Sequence, residues 1–211
     1  MTLQKIDYRA NWAARNPVLL PGEIAFESDT NNEKVGDGKT RWNKLHYYGS
    51  PGHWAEFSSD ADQSTTANVP TEVTFNKHNP DGDGVRLESS CQLIGDKPGV
   101  YVFEINLQVK NADTQIHDAH FWLRKNNNDA NGNLPLTTNT CSVIESHGGV
   151  PGNNNLLLDH TLLLQAGDYI EIIWAPSNAQ VTLSGSAAIT SPYARPTRPS
   201  VVCNVFQIAA A

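Results

Sequence analysis

From residue 53 onward the chain is built of short stretches in which apolar and polar residues alternate every second position, and no 3.6-residue repeat of an amphipathic helix interrupts them. Such stretches occupy residues 53–57, 72–76, 85–94, 100–109, 121–125, 141–145, 156–164, 168–174, 181–189 and 201–208. Between them lie explicit turn signals: Pro80-Asp81-Gly82-Asp83-Gly84, Lys97-Pro98-Gly99, Asn131-Gly132, Gly148-Gly149 and Pro176-Ser177-Asn178. Many short strands at this spacing predict an all-β chain, an antiparallel sandwich or jelly roll.

The first fifty residues read differently. They contain one possible helical turn (residues 7–16), a Pro21-Gly22 step and the alternating stretch GEIAFES over residues 22–28, in which Ile24 and Phe26 point one way and Glu23, Ala25 and Glu27 the other. Residues 35–42 read as a hairpin around Gly36-Asp37-Gly38. So small a module buries little surface by itself, and Trp12 and Trp42 need a partner to pack against, for which another copy of the chain is the simplest candidate. Gly49-Ser50-Pro51-Gly52 punctuates the boundary, giving an N-terminal module over 1–50 and a sandwich over 51–211.

Two strands are apolar on both faces. In residues 168–174, Ile170, Ile172 and Trp174 share one side and Tyr169, Glu171 and Ile173 the other; in 120–124, Phe121 and Leu123 oppose His120, Trp122 and Arg124. A sandwich strand normally keeps one wet face, so a subunit interface is the expected cover, with Trp12, Trp42, Tyr101, Trp122, Tyr169 and Ile173 as its candidates. Read plainly, Trp122 and Tyr169 are ordinary surface aromatics.

Composition narrows the function classes. Of 211 residues, 22 are acidic and 15 basic, a formal charge of −7 with no Lys/Arg cluster, which argues against nucleic acid or an anionic membrane as partner. No run approaches the ~20 apolar residues of a membrane span, and the start, Met1 into TLQKIDYR, lacks a secretory leader. The expectation is therefore a soluble protein with no membrane insertion. Cys91, Cys141 and Cys203 are odd in number and far apart, unlike a disulfide framework or a zinc knuckle.

Local motifs give no catalytic or cofactor site. VGDGKT lacks the first glycine of a phosphate loop, with Glu33 in its place. Asp81 and Asp83 open like a calcium loop, but the later ligands and closing glutamate are missing. His117 and His120, three apart, fall on opposite faces of a strand, although one histidine per chain could still meet on a trimer axis. No G-x-S-x-G or cysteine-nucleophile signature occurs. No catalytic residue, metal site or cofactor is therefore predicted. The segment SPYARPTRPS predicts an extended, proline-stiffened path.

Two segments resemble known families. Trp12-Ala13-Ala14, Asn16-Pro17-Val18-Leu19, Gly22-Glu23-Ile24, the Glu-Ser-Asp-Thr turn, and Gly36-Asp37-Gly38 followed by Thr40, Trp42 and Asn43 resemble the N-terminal domain of the major tropism determinant family, a module that also begins many bacteriophage tail-fibre and phage hyaluronidase-like proteins. In place of the usual leading Arg-Arg-Gly stands Asp7-Tyr8-Arg9. Pro98-Gly99-Val100-Tyr101-Val102-Phe103 and Leu164-Gln165-Ala166-Gly167-Asp168-Tyr169-Ile170 are similar to strands of C1q/TNF-like jelly rolls.

Both resemblances imply a homotrimer, and together they imply a non-enzymatic virion protein. It would be made in the host cytoplasm and carried on the phage tail or capsid, with itself and other virion proteins as partners. As a tail fibre or host-adsorption component it would present loops 126–133 and 148–155, with Asn126, Asn127, Asn131, Asn153 and Asn154, to a host surface glycan. The shortness of the chain and its lack of heptads or shaft repeats favour a capsid decoration protein at icosahedral three-fold positions as the alternative. A polysaccharide depolymerase would need a repetitive β-helix that is not present, and a free sugar-binding module is the remaining reading.

Overall fold

A computed structural model describes residues 4–30, 32–45, 47–48, 53–126 and 132–210. The chain forms two compact units, Met1–Pro51 and Gly52–Ala211. The expected linker, Gly49 to Gly52, lies outside the described residues.

In the first unit the elements run β1 (Gln4–Asp7), α1 (Arg9–Arg15), β2 (Ile24–Glu27), β3 (Glu33–Val35), a 3₁₀ turn (Trp42–Lys44) and β4 (Tyr47–Tyr48). They form one sheet in the order β1-β2-β3-β4, with β1 parallel to β2 and the other pairs antiparallel. Helix α1 is a single run of good helix formers around Ala13-Ala14, stopped where Asn16 turns left-handed (φ 42°) and its amide bonds back to Trp12.

The core of this unit is small: Trp12, Leu19, Ala25 and Trp42, with Leu45 against it. On β2 the buried side is that of Glu23, Ala25 and Glu27, while Ile24 and Phe26 are half-exposed. Alternation separates the two faces correctly but does not tell which one is covered, because the carboxylates are satisfied from within. Glu27 accepts from the Tyr47 hydroxyl (2.6 Å) and from Thr30, and Glu23 accepts from the Leu20 amide (2.8 Å) and pairs with Lys5.

The expected hairpin over 35–42 does not form; β3 is instead paired with β2. Asp37 gathers the amides of Lys39 (2.8 Å) and Thr40 (2.7 Å) and the Thr40 hydroxyl (2.6 Å), a side-chain-closed turn that leads into the 3₁₀ segment. Gly36 has to be glycine, since a Cβ there would stand 2.3 Å from the Leu20 carbonyl oxygen.

The second unit is the jelly-roll sandwich. Its strands are β5 (Trp54–Ser59), β6 (Thr71–Glu72), β7 (Lys77–His78), β8 (Val85–Glu88), β9 (Gln92–Gly95), β10 (Gly99–Asn111), β11 (His117–Lys125), β12 (Asn139–Val143), β13 (Gly152–Leu164), β14 (Tyr169–Pro176), β15 (Val181–Leu183) and β16 (Val201–Ala210). One sheet has the order β13-β10-β16-β5-β7, with β15 also on β10; the other has β12-β11-β14-β9-β8, with β6 on β14. Every pairing in both is antiparallel.

Alternate residues of the central strands fill the space between the sheets. Tyr101, Phe103, Ile105, Leu107 and Val109 of β10 meet Phe121, Leu123, Ile170, Ile172 and Trp174 of β11 and β14, all almost fully buried. Phe121 and Trp174, directly opposite in register, stack with centroids 6.1 Å apart.

Three predicted strands differ. Residues 85–94 fold into the β8–β9 hairpin, turned by Ser89 and Ser90 in the left-handed region (φ 50° and 62°). Residues 72–76 cross from one sheet to the other, dropping Val73 and Phe75 into the core on the way. The strand at 181–189 stops at Leu183, and the proline-rich segment after it is a loop closed by the bridges Ser186–Arg198 and Ile189–Arg195 rather than one extended path.

Candidate functional site

Four of the six residues expected at a subunit contact are enclosed by their own chain. Trp12 and Trp42, each 3% exposed, stack on one another with centroids 6.2 Å apart, so the partner they need is intramolecular. Tyr101 lies wholly between the sheets and donates its hydroxyl to the Lys97 carbonyl at 2.7 Å. Ile173, 1% exposed, is covered within the unit. Trp122 and Tyr169 are half-buried on the outer face of the β12-β11-β14-β9-β8 sheet.

The asparagines also fall in unexpected places. Asn126 uses both ends of its amide, donating to Asp168 (2.8 Å) and accepting from the Tyr169 amide (2.9 Å), which fixes the start of β14. Asn153 and Asn154 are not in a loop but in β13, opposite Lys110 and Val109. Asn127 and Asn131 lie outside the described residues. His117 bonds Asp113 (2.7 Å) and His120 the Thr140 hydroxyl (2.9 Å); among the described residues no three His, Cys, Asp or Glu side chains converge as metal ligands.

Two surfaces stand out instead. The first is the outer face of the β13-β10-β16-β5 sheet. Leu157, Leu163 and Ile208 are about 60% exposed there and Phe206 36%, with Val100 opposite Leu163, Val102 opposite Phe206, and Phe206 opposite Trp54. The end that holds Val100, Leu163, Phe206 and Trp54 is apolar across four strands, whereas Leu157, opposite Asn106, lies toward the other end, which carries the amide contact of Gln108 with Asn155 (2.9 Å). Between them Glu104 stands directly opposite Asp159.

The second is a pocket of about 390 Å³ on the opposite sheet, lined by Pro70, Glu72, Trp122, Arg124, Asn133 and Ile173. Register explains its construction. Trp122, Ile173 and Glu72 lie side by side across β11, β14 and β6, and on the next outward rung Arg124 lies beside Glu171. The Arg124 guanidinium donates to Glu171 (2.8 Å) and to Glu72 (2.5 Å). Trp122 Nε1 donates to Asn133 Oδ1 at 2.8 Å, which holds the indole by its edge.

Charge in the pocket is set by this arrangement. Burial opposes the charge on Arg124, but the two carboxylates outweigh it and raise its pKa. Glu72 is held below the usual carboxylate range, first by its own backbone amide and, against burial, by Arg124. Burial, with Glu171 nearby, pushes the Cys91 thiol up to about 11, which keeps it protonated at neutral pH. The sequence points to Trp122 for a different role, to Asn133 only as the end of the loop 126–133, and to Glu72 not at all. The available signal is a charged residue in each of two strands apolar on both faces, Arg124 and Glu171, which turn out to be paired.

Comparison with known proteins agrees with both resemblances. Residues 7–40 match the major tropism determinant N-terminal domain family. A stretch of 40 residues, 19% of the chain, is 48% identical to a hyaluronoglucosaminidase of Streptococcus pyogenes phage H4489A, of whose length it spans 11%. In fold the chain is similar to the TNF protein Eiger of S. frugiperda, with a TM-score of 0.53 and 15% identity over 76% of this chain and 95% of that one. Among the described residues no helix is long and apolar enough to cross a membrane. The chain thus joins an N-terminal module of the phage tropism-determinant type to a TNF-like jelly roll.

Proposed function

We propose that the chain is a non-enzymatic structural protein of a bacteriophage virion, a homotrimer that serves in a tail fibre or host-adsorption part. The observation that carries this reading is the pairing of the phage-type module at 7–40 with a jelly roll whose first sheet leaves an apolar outer face. Self-association through that face would cover Leu157, Leu163, Phe206 and Ile208, which a lone sandwich leaves in water. Other virion proteins would hold the assembly on the particle, and a host surface glycan is its target.

A structural role is supported by the chemistry of the carboxylates as well. Glycoside hydrolysis needs one carboxyl kept protonated as general acid. In the pocket Glu72 is shifted the other way, and Glu171 is tied to the same guanidinium. Incubation of the purified protein with hyaluronan should release no new reducing ends; turnover would overturn the non-enzymatic reading.

A capsid decoration protein is the second reading, favoured by one observation. The described residues hold a single α-helix of seven residues and no coiled-coil shaft. Counting copies per purified virion by quantitative mass spectrometry against the major capsid protein separates the two. A few trimers per particle supports the adsorption role, and a number scaling with the capsid lattice replaces it with decoration.

A further inference from the structure

We infer that the pocket between Trp122 and Glu72 binds a neutral pyranose, a single sugar ring of a larger saccharide. This deepens the adsorption reading and rests on it for its biological meaning, but the binding itself is a property of the isolated protein.

The geometry begins with the rung Trp122–Ile173–Glu72. Adjacent strands lie ~4.8 Å apart, so the backbone positions of Trp122 and Glu72 are separated by about 10 Å, with Ile173 on the strand between them. In a pocket lined by both, one six-membered ring would set its C–H face on the indole and its hydroxyl edge on the carboxylate. Sugar rings have just this division, an apolar face and a polar rim, and aromatic planes with polar groups at the margin recognise it. The cavity volume, about 390 Å³, falls within the ~300–1,000 Å³ range of small-molecule sites.

Preorganisation strengthens the case. The Trp122 ring is held at its edge nitrogen by Asn133, which leaves the Asn133 amide nitrogen as a donor at the pocket wall. Glu72 is aimed by Arg124 and keeps a carboxylate able to accept from two neighbouring hydroxyls, its side chain 40% exposed. The same pairing selects against anionic ligands. Arg124 already faces two carboxylates, and an incoming sialic acid or phosphate would meet Glu72 with like charge. A neutral ring has neither cost.

The pocket lies on the sheet opposite the apolar face proposed for self-association.

The test is titration of the full chain with methyl glucoside, methyl galactoside, N-acetylglucosamine and rhamnose, followed by saturation-transfer NMR and by tryptophan fluorescence. At least one should bind with a dissociation constant on the order of 1 mM, as expected of a single ring, and more tightly as part of an oligosaccharide. Trp122→Ala and Glu72→Gln should each weaken it at least ten-fold, while Trp122→Phe keeps part of the affinity. Should Trp122→Ala fail to fold, Asn133→Ala, at an exposed side chain, reads the same site. No binding by any of the four, binding unchanged in the variants, or preference for sialic acid or inorganic phosphate overturns the inference. The virion copy count is independent: a tail location without sugar binding removes the pocket and leaves the function, and sugar binding with capsid-lattice numbers does the reverse.

Discussion

Trp12 and Trp42 stack nearly parallel, 13° apart in plane with ring centroids 6.2 Å apart, and this one contact supplies most of the apolar volume in the core of the first unit. Arg15 lies over Trp12 (5.0 Å) and the Lys34 ammonium over Trp42 (4.0 Å), so cations join Leu19, Ala25 and Leu45 in closing in the two indoles. Trp42→Ala should therefore cost about 3–5 kcal/mol and melt the first unit. Calorimetry on the full chain should show that transition lost or lowered while the sandwich unfolds at its usual temperature. A single unchanged transition would show that the stack contributes little.

The same column makes the first unit sensitive to alkaline pH in two opposite ways. Burial lowers the pKa of Lys34, so its charge costs stability at neutral pH; the unfolded chain binds the extra proton, and stability rises as pH climbs from the lowered value toward 10.5. Tyr47, whose ring also faces Lys34 at 4.4 Å, is shifted the other way, to about 12, by burial and by its bond to Glu27. Its contribution is complete below pH 10 and disappears as pH rises through about 12. Denaturant melts of the first unit's transition should thus show a maximum near pH 10. Lys34→Met should remove the rising limb and leave the falling one.

Much of the fold is legible in the sequence because period-2 alternation and turn residues act locally: the long strands β10, β14 and β16 fall close to their predicted places, while β13 begins four residues early, inside the expected loop 148–155. What the sequence hides depends on contacts distant in the chain. Ser89-Ser90 carries no Gly or Asn to announce a hairpin, and only the pairing of β8 with β9 holds both residues left-handed. Glu23 and Glu27 look like a solvent face until Lys5, Thr30 and Tyr47 are seen to satisfy them. The pocket is illegible for the same reason. Its wall Trp122 and its carboxylate Glu72 are about fifty residues apart and meet only through β14.

Tyr101 gives a direct check on what is core and what is interface. Its ring packs against Gly95, where a Cβ would approach the phenol carbon to 3.0 Å. Tyr101→Phe should lose the hydroxyl's bond to Lys97 and about 0.5–1.5 kcal/mol of stability. Gly95→Ala should cost about 1–3 kcal/mol through overpacking. Neither should alter the mass of the assembly measured by light scattering. A change of mass in Tyr101→Phe would return this residue to the subunit contact.

The outer face of the first sheet makes the opposite prediction. Leu163 is 58% exposed in the single chain, so Leu163→Asp should change the stability of the isolated sandwich by no more than about 0.5 kcal/mol. In an assembly that buries the face, three copies of that carboxylate would lose their water together with the apolar contact of Val100 and Leu163. Light scattering should give a mass close to three chains for the wild type and one for Leu163→Asp, with Phe206→Asp behaving alike. Glu104→Gln should act in the other sense: it removes the like-charge pair with Asp159 at the centre of the face and so should hold the trimer together at greater dilution. A wild-type chain that is a folded monomer at micromolar concentration would refute assembly through this sheet, and a trimer indifferent to all three substitutions would place the contact elsewhere on the chain.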